Sequence, residues 1–345
     1  MSDLLKSKGI FSGESLPDGW RTQKINFDHY LKAMEEICPG WHAVGTISKG
    51  ANNITFVLNN LEGLRVCQFS VFSREEDSSL DSFETISGRL SHLQKCGVAV
   101  PYIITGGELY VDEKKRRYIV MDFVRGVSAD NFLSRHPKKK QDVHFEFGKV
   151  LGQLRATPIL NSRRISANEH LLHKVDHISN LLVQSQVFSM EQMNRLTRSL
   201  KDRLLLLGDA PFSYVHLDPF PINFRITGTV SNFDVTLMDV DAIQEGHPLV
   251  EGLGRAIKWG IYDWSYVNGE TTKDTTETVN AFLEGYSQSS SDPDRFMRSV
   301  EKTNLLLETA EMVGLPETIL RESKKERPQE YYEWSKNRLL ELSEK

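Results

Sequence analysis

Apolar residues recur along this chain at two different periods, and the change from one to the other divides it. Tyr30, Leu31, Met34 and Ile37 fall on one face of a helix over Asp28 to Ile37, which Cys38-Pro39-Gly40 ends. Two β-rich runs follow, Ile47 to Leu58 and Leu64 to Val71. The polar turn Asn59 to Gly63 joins them as a hairpin. A helix is predicted from about Ser79 to Lys95 on the stripe Phe83, Ile86, Leu90 and Leu93, closed by Gly97. Tyr102 to Ile104 and Tyr118 to Phe123 read as strands around the basic turn Lys114 to Arg117, expected to be a solvated hairpin tip.

Beyond residue 126 the period becomes helical. Val143, Phe147, Val150, Leu151 and Leu154 predict a core helix over Asp142 to Ala156, and Leu171, Val175, Ile178 and Leu182 one over Glu169 to Val183. Ser189 and Gln192 form a capping box for a helix reaching Leu207. Asp292-Pro293-Asp294 starts another helix, running through Leu305 to Val313, and a last one spans about Gln329 to Leu342. The expected class is α+β. A helical extension over 1–40 precedes a small antiparallel-sheet lobe over 41–126 and a larger, mainly helical lobe over 127–345.

The 39% hydrophobic and 26% charged composition is ordinary for a soluble globular chain, and 345 residues bury a sizeable core. A net charge of −5 without a concentrated basic face argues against nucleic acid as a partner. No run of about 18 apolar residues occurs, so no membrane partner is expected. Cys38, Cys67 and Cys96 have no metal-ligand spacing, which suits a reducing cytoplasm. His170, His173 and His177 stand at helical spacing but read as surface histidines.

Two short apolar strands interrupt the helical half and carry the candidate chemistry. Tyr214-Val215 leads into His216-Leu-Asp218-Pro-Phe-Pro-Ile-Asn223, and Val235 to Met238 delivers Asp239. This set suits a divalent cation holding a nucleotide phosphate. Mg²⁺ takes a few hard oxygen ligands from side chains and the rest from phosphate and water. Asn223 and Asp239 would serve it, leaving Asp218 to hold a hydroxyl.

The spacing His-x-Asp-x-x-x-x-Asn, followed by Asp239, resembles the catalytic and metal loops of the protein-kinase-like fold. It looks most like the aminoglycoside phosphotransferase and choline kinase branch. That branch usually reads His-Gly-Asp-Leu-His-Pro-Gly-Asn. His216, Asp218, Pro221 and Asn223 match, while Leu217, Pro219, Phe220 and Ile222 depart. Gly50-Ala-Asn-Asn53-Ile-Thr55-Phe resembles the branch's nucleotide loop, and Met121-Asp122-Phe123-Val-Arg-Gly126 its hinge beside the base.

The resemblance implies a two-lobe kinase that moves the γ-phosphoryl of ATP or GTP, with Mg²⁺, to a hydroxylated small molecule. Asp218 and His216 would be catalytic, and Asn223 and Asp239 would hold the metal. Gly50, Asn53, Thr55, Met121, Asp122 and Phe123 would contact nucleotide, and Glu84 would partner a phosphate-binding basic residue on the second strand. Arg65 and Gln68 are the two candidates for that strand position. They lie on opposite faces, and charge favours Arg65. The acceptor is read as an aminoglycoside-like antibiotic, which would give resistance. Alternatives are a metabolite of choline, homoserine or sugar type, or a non-catalytic binding protein, which Gln68 would suit.

Overall fold

The period-2 runs of the first half pair into one antiparallel sheet, and the register decides which residues meet on each face. A computed structural model of the chain describes residues 27–47, 53–71, 81–160, 165–269, 271–289, 303–323 and 330–344. One compact unit lies within Met1–Lys95 and Val100–Arg125, the other within Cys96–Ala99 and Gly126–Lys345.

The first unit comprises α1 (Phe27–Ile37), β1 (His42–Ile47), β2 (Asn53–Asn60), β3 (Gly63–Ser70), α2 (Phe83–Lys95), β4 (Ile103–Val111) and β5 (Lys114–Asp122). Its strands run in the order β1-β2-β3-β5-β4. Ile54 stands opposite Phe69, Phe56 opposite Cys67, Leu58 opposite Arg65, and Cys67 opposite Val120. Tyr30, Ala33 and Met34 of α1, with Trp41, close over that face as an apolar core. The other face carries Thr55 opposite Gln68 and Val66 opposite Met121. It also carries Gly106, where any side chain would collide with the Phe83 ring of α2. Helix α2 begins at Phe83, because the Ser82 hydroxyl accepts the Thr85 N–H at 3.2 Å as a cap.

The basic turn is corrected by the register. Val111 pairs with Lys114, so the turn is Asp112-Glu113, both at positive φ, and Lys114 to Arg117 belong to β5. Arg116 and Arg117 are buried. The Arg117 guanidinium donates to the Asp81 carbonyl at 2.8 Å, and Arg89 of α2 pairs with the Asp81 carboxylate.

The second unit is mostly helical. After β6 (Val127–Ser128) come α3 (Ala129–Arg135), α4 (Lys140–Ala156), α5 (Ala167–Gln184) and α6 (Met190–Leu207). The Ser189–Gln192 capping box is formed at the start of α6. Then follow β7 (Ser213–His216), β8 (Phe224–Gly228), β9 (Phe233–Leu237) and β10 (Ile243–Gly246), which build a β10-β7 ribbon and a β6-β8-β9 sheet. π-Helical turns at Pro248–Gly254 and Lys258–Asp263 alternate with α7 (Arg255–Ile257) and α8 (Trp264–Val267). The chain continues with α9 (Thr272–Ser287), α10 (Thr303–Glu322) and α11 (Glu330–Glu344).

Helices α4 and α9 touch backbone to backbone. A Cβ at Gly148 would strike the Phe282 carbonyl, and one at Gly285 the Phe145 carbonyl, so only glycine allows this approach. The stacked pair Phe147 and Phe224, 4.0 Å between centroids, seats the small sheet on α4. Helix α10 runs past Val313 and through Pro316, because Leu315 and Ile319 extend its buried stripe. The Asp292 start predicted for this helix lies outside the described residues.

Candidate active site

Strand β7 is buried along its whole length and pairs with β10, placing His216 opposite Ile243. Both nitrogens of His216 are used by main chain. The carbonyl of Met238 can only accept, so Nε2 carries the proton and donates to it at 3.0 Å. Nδ1 accepts the Asp218 N–H at 3.3 Å. Burial pushes the His216 pKa down. With both nitrogens in main-chain hydrogen bonds, the ring ties the Asp218 backbone to the end of β9.

Asp218 is exposed just past the strand. Asn223, in the 3₁₀ turn Pro221–Asn223, donates its amide to the Asp218 carboxylate and to the Asp218 carbonyl, each at 2.8 Å. The Asn223 Oδ1 is then the amide atom turned to other uses. The Met238 N–H donates to the Asn223 carbonyl at 2.7 Å, tying this loop to the end of β9. Asp239 follows in a left-handed conformation, φ 49° and ψ 64°. Strained backbone of this kind in a non-glycine residue persists where surrounding contacts enforce it. Here the Ala242 N–H donates to the Asp239 carbonyl at 2.9 Å, and the Leu217 N–H to the Ala242 carbonyl at 2.8 Å. Asp218, Asn223 and Asp239 thus sit on two loops cross-linked through main chain.

Behind the loops lies an ionic network absent from the sequence reading. Arg255 donates to the Leu217 carbonyl at 3.3 Å and to Glu317 of α10 at 3.2 Å. Lys174 of α5 bridges Glu251 at 2.9 Å and Glu317 at 2.8 Å. Arg255 and Lys174 outweigh desolvation and hold the Glu317 carboxyl down at about 2, while Lys174 and Arg255 lower Glu251 against its burial. The Glu251 carboxylate also accepts the His247 N–H at 3.0 Å. His247, fully buried, caps the next helical turn. Its Nδ1 accepts from Leu249 and Val250 at 3.2 Å, and its Nε2 donates to Asn168 at 2.8 Å. Desolvation drops its pKa to about 4. A charged residue at the margin of an apolar helix stripe, as Lys174 is beside Leu171 and Val175, was the one available signal.

In the first unit, Asn53, Thr55, Gln68 and Met121 share one face of the sheet. The favoured Arg65 does not share it. Its guanidinium lies 4.1 Å from the Trp41 ring and 3.4 Å from Glu62, on the face that α1 covers. Asp122 pairs with Arg65 in register, and Phe123 follows the strand. Glu84 is exposed in the first turn of α2. Gly50 lies outside the described residues. Asp263 pairs with Lys258 at 2.5 Å. Among the described residues no cluster of three His, Cys, Asp or Glu could hold a metal, and no helix is long and apolar enough to cross a membrane.

An antiparallel-sheet unit and a helical unit with this pair of loops define the protein-kinase-like fold. It is the form found in aminoglycoside phosphotransferases and in choline and ethanolamine kinases. Ethanolamine kinase of Plasmodium vivax matches 99% of this chain and 93% of its own at 10% identity, TM-score 0.63. A microcompartment-associated aminopropanol kinase matches 92% and 94% at 14% identity, TM-score 0.61. A thermostable mutant of aminoglycoside phosphotransferase APH(4)-Ia, in ternary complex with ADP and hygromycin B, matches 91% and 97% at 12% identity, TM-score 0.60. No family model and no curated protein matches the chain by sequence.

Proposed function

We propose that this protein is a small-molecule kinase, transferring the γ-phosphoryl of ATP or GTP to a hydroxyl of an amine-bearing acceptor. The observation that carries the reading is the Asn223 amide fixed on Asp218, beside the left-handed Asp239. Asp218, exposed and held in one orientation, would align the acceptor hydroxyl and take its proton as the phosphoryl group leaves the nucleotide. His216 keeps the Asp218 backbone in place. Because phosphoryl transfer proceeds through a loose transition state, holding the partners in line supplies much of the rate.

The donors fit a hard divalent cation. The Asn223 amide oxygen and the Asp239 carboxylate would hold Mg²⁺, which would neutralise phosphate charge when bound. Asn53, Thr55, Gln68 and Met121 share the sheet face assigned to nucleotide. The acceptor class rests on the amino alcohol and aminoglycoside named for the neighbours, and the net charge of −5 suits a cation. An antibiotic would make the protein a resistance factor, and a small amino alcohol would make it metabolic.

A second reading is favoured by Gln68. It stands where a phosphate-binding lysine or arginine is expected, and its Oε1 is buried without a hydrogen-bond partner. A chain that binds nucleotide without turnover would tolerate this. The deciding experiment is phosphate transfer from Mg²⁺-ATP and Mg²⁺-GTP to ethanolamine, choline, aminopropanol and an aminoglycoside panel, with Asp218→Asn as control. Transfer lost in the variant supports the kinase. Nucleotide binding without transfer to any acceptor supports the second reading.

A further inference from the structure

We propose that Arg255 and Gly260, five residues apart on one helical stretch, are positioning residues that hold the loop carrying Asp218. The inference rests on the reading of Asp218 as the residue that aligns the acceptor. It gives a part in that site to a segment that carries none of the reacting groups.

The carbonyls on either side of Asp218 both meet this stretch. The Arg255 guanidinium donates to the Leu217 carbonyl at 3.3 Å, while its other terminal nitrogen reaches Glu317 at 3.2 Å. On the far side of Asp218, the Pro219 carbonyl lies so close to the Gly260 backbone that a Cβ there would stand 2.6 Å from its oxygen. That is well inside contact distance, and the obstacle is main chain, so any side chain at 260 would push the loop away. The Asp218 N–H is itself taken by His216. The main chain before, at and after the carboxylate is therefore fixed from beneath.

Helix geometry explains how two residues five apart serve one loop. On a regular α-helix they diverge by about 140° around the axis. Here a π-helical turn over Lys258–Asp263 widens the repeat and brings such residues close to one line. Gly260 is buried, and with His144, Phe147, Pro219, Phe224 and Ile261 it lines a narrow hollow beneath the loop. Arg255 is buried as well, with the Trp259 ring 5.5 Å away. This seat sets where the Asp218 carboxylate points without touching a substrate. In-line transfer is sensitive to such placement, since an error of about 1 Å can lower the rate 10²-fold.

The test compares three variants of the full chain by kcat, nucleotide KM and amide hydrogen exchange of the peptide holding Leu217 and Asp218. Gly260→Ala pushes on the loop directly. Gly152→Ala creates a clash of the same kind elsewhere, a Tyr286 carbonyl oxygen at 2.5 Å between α4 and α9. Arg255→Lys keeps a charge beside Glu317 but gives up the planar fork that reaches two acceptors at once. Gly260→Ala should lower kcat by about 10–10²-fold, leave nucleotide KM within about two-fold and speed exchange at the loop. Arg255→Lys should show the same pattern more weakly, and it decides by the same readouts if Gly260→Ala does not fold. Gly152→Ala should melt lower, with wild-type kcat and loop exchange. If the wild type transfers phosphate to no acceptor, the kinase reading falls and exchange alone decides. Loop amides that exchange faster in Gly260→Ala but not in Gly152→Ala then support the seat. Wild-type loop exchange in Gly260→Ala, or an equal loss of kcat in Gly152→Ala, would overturn it.

Discussion

The Asn223 side chain donates to the Asp218 carboxylate at 2.8 Å, so the residue assigned to the metal also aims the residue assigned to the acceptor. Asp218→Asn keeps the size of the side chain and loses the proton acceptor. Turnover should fall by about 10²–10⁴-fold. Asp218 is exposed, so thermal stability should stay within about 0.5 kcal/mol of wild type. Initial rates with the best acceptor, beside melting curves, check both parts. Unchanged turnover would remove Asp218 from the mechanism.

Asp239 is expected to act on nucleotide binding itself. A ligand that binds only the native state adds about 2.7 kcal/mol at 100 times its dissociation constant. Wild type should show such a rise with Mg²⁺-nucleotide, and Asp239→Ala and Asn223→Ala should lose most of it. Asp239→Gly adds a second readout. The left-handed φ of 49° costs glycine nothing, so this variant should melt higher than Asp239→Ala while being equally blind to Mg²⁺-nucleotide.

On β3 the two candidate residues are separable. Arg65→Ala removes the contact over Trp41, a loss of roughly 0.5–1 kcal/mol of stability, and should leave nucleotide affinity within a few-fold. Gln68→Lys places a cation on the face shared with Asn53 and Thr55 and should tighten Mg²⁺-nucleotide binding. Calorimetric titration of both variants decides. Collapse of binding in Arg65→Ala with no gain in Gln68→Lys would reverse the assignment of faces.

Acid should unfold the second unit in two stages. His247 titrates at about 4 when folded, against 6.5 as its ordinary value. The unfolded chain therefore binds its proton first, and the stability present above pH 6.5 drains away as pH falls toward 4. At about 1.4 kcal/mol per unit this one histidine accounts for roughly 3–3.5 kcal/mol. Glu317, held at about 2 against 4.5, adds a loss in the same direction below pH 4.5. His247→Asn keeps a side-chain acceptor for the cap without titrating. Its melting temperature should be flatter than wild type between pH 6.5 and 4, and an identical slope would sink the assignment.

Local signals were legible in the sequence wherever one residue decides the structure. Ser189 and Gln192 announced their cap, and the period of β3 placed Arg65 and Gln68 on opposite faces. Which face the core would claim was not legible, because α1 and Trp41 settle it from elsewhere in the chain. The Asp112-Glu113 turn was missed for want of a glycine, and Lys114 to Arg117 were misplaced with it. His247 was invisible as a cap because imidazole fills that role only when burial keeps it neutral. The ladder of Lys174, Glu251, Glu317 and Arg255 joins segments that no local pattern connects.

That ladder has a practical corollary for shortened versions of the protein. Helix α10 supplies Glu317 to Lys174 and Arg255, and Glu311 to Lys258 at 3.4 Å and to Arg338 at 2.8 Å. A polypeptide cut before α10 would leave Lys174, Arg255 and Lys258 short of counter-ions, and stranding such charges is strongly destabilising. The last two helices are therefore no detachable tail. Truncation there should yield aggregates in place of a smaller working fragment.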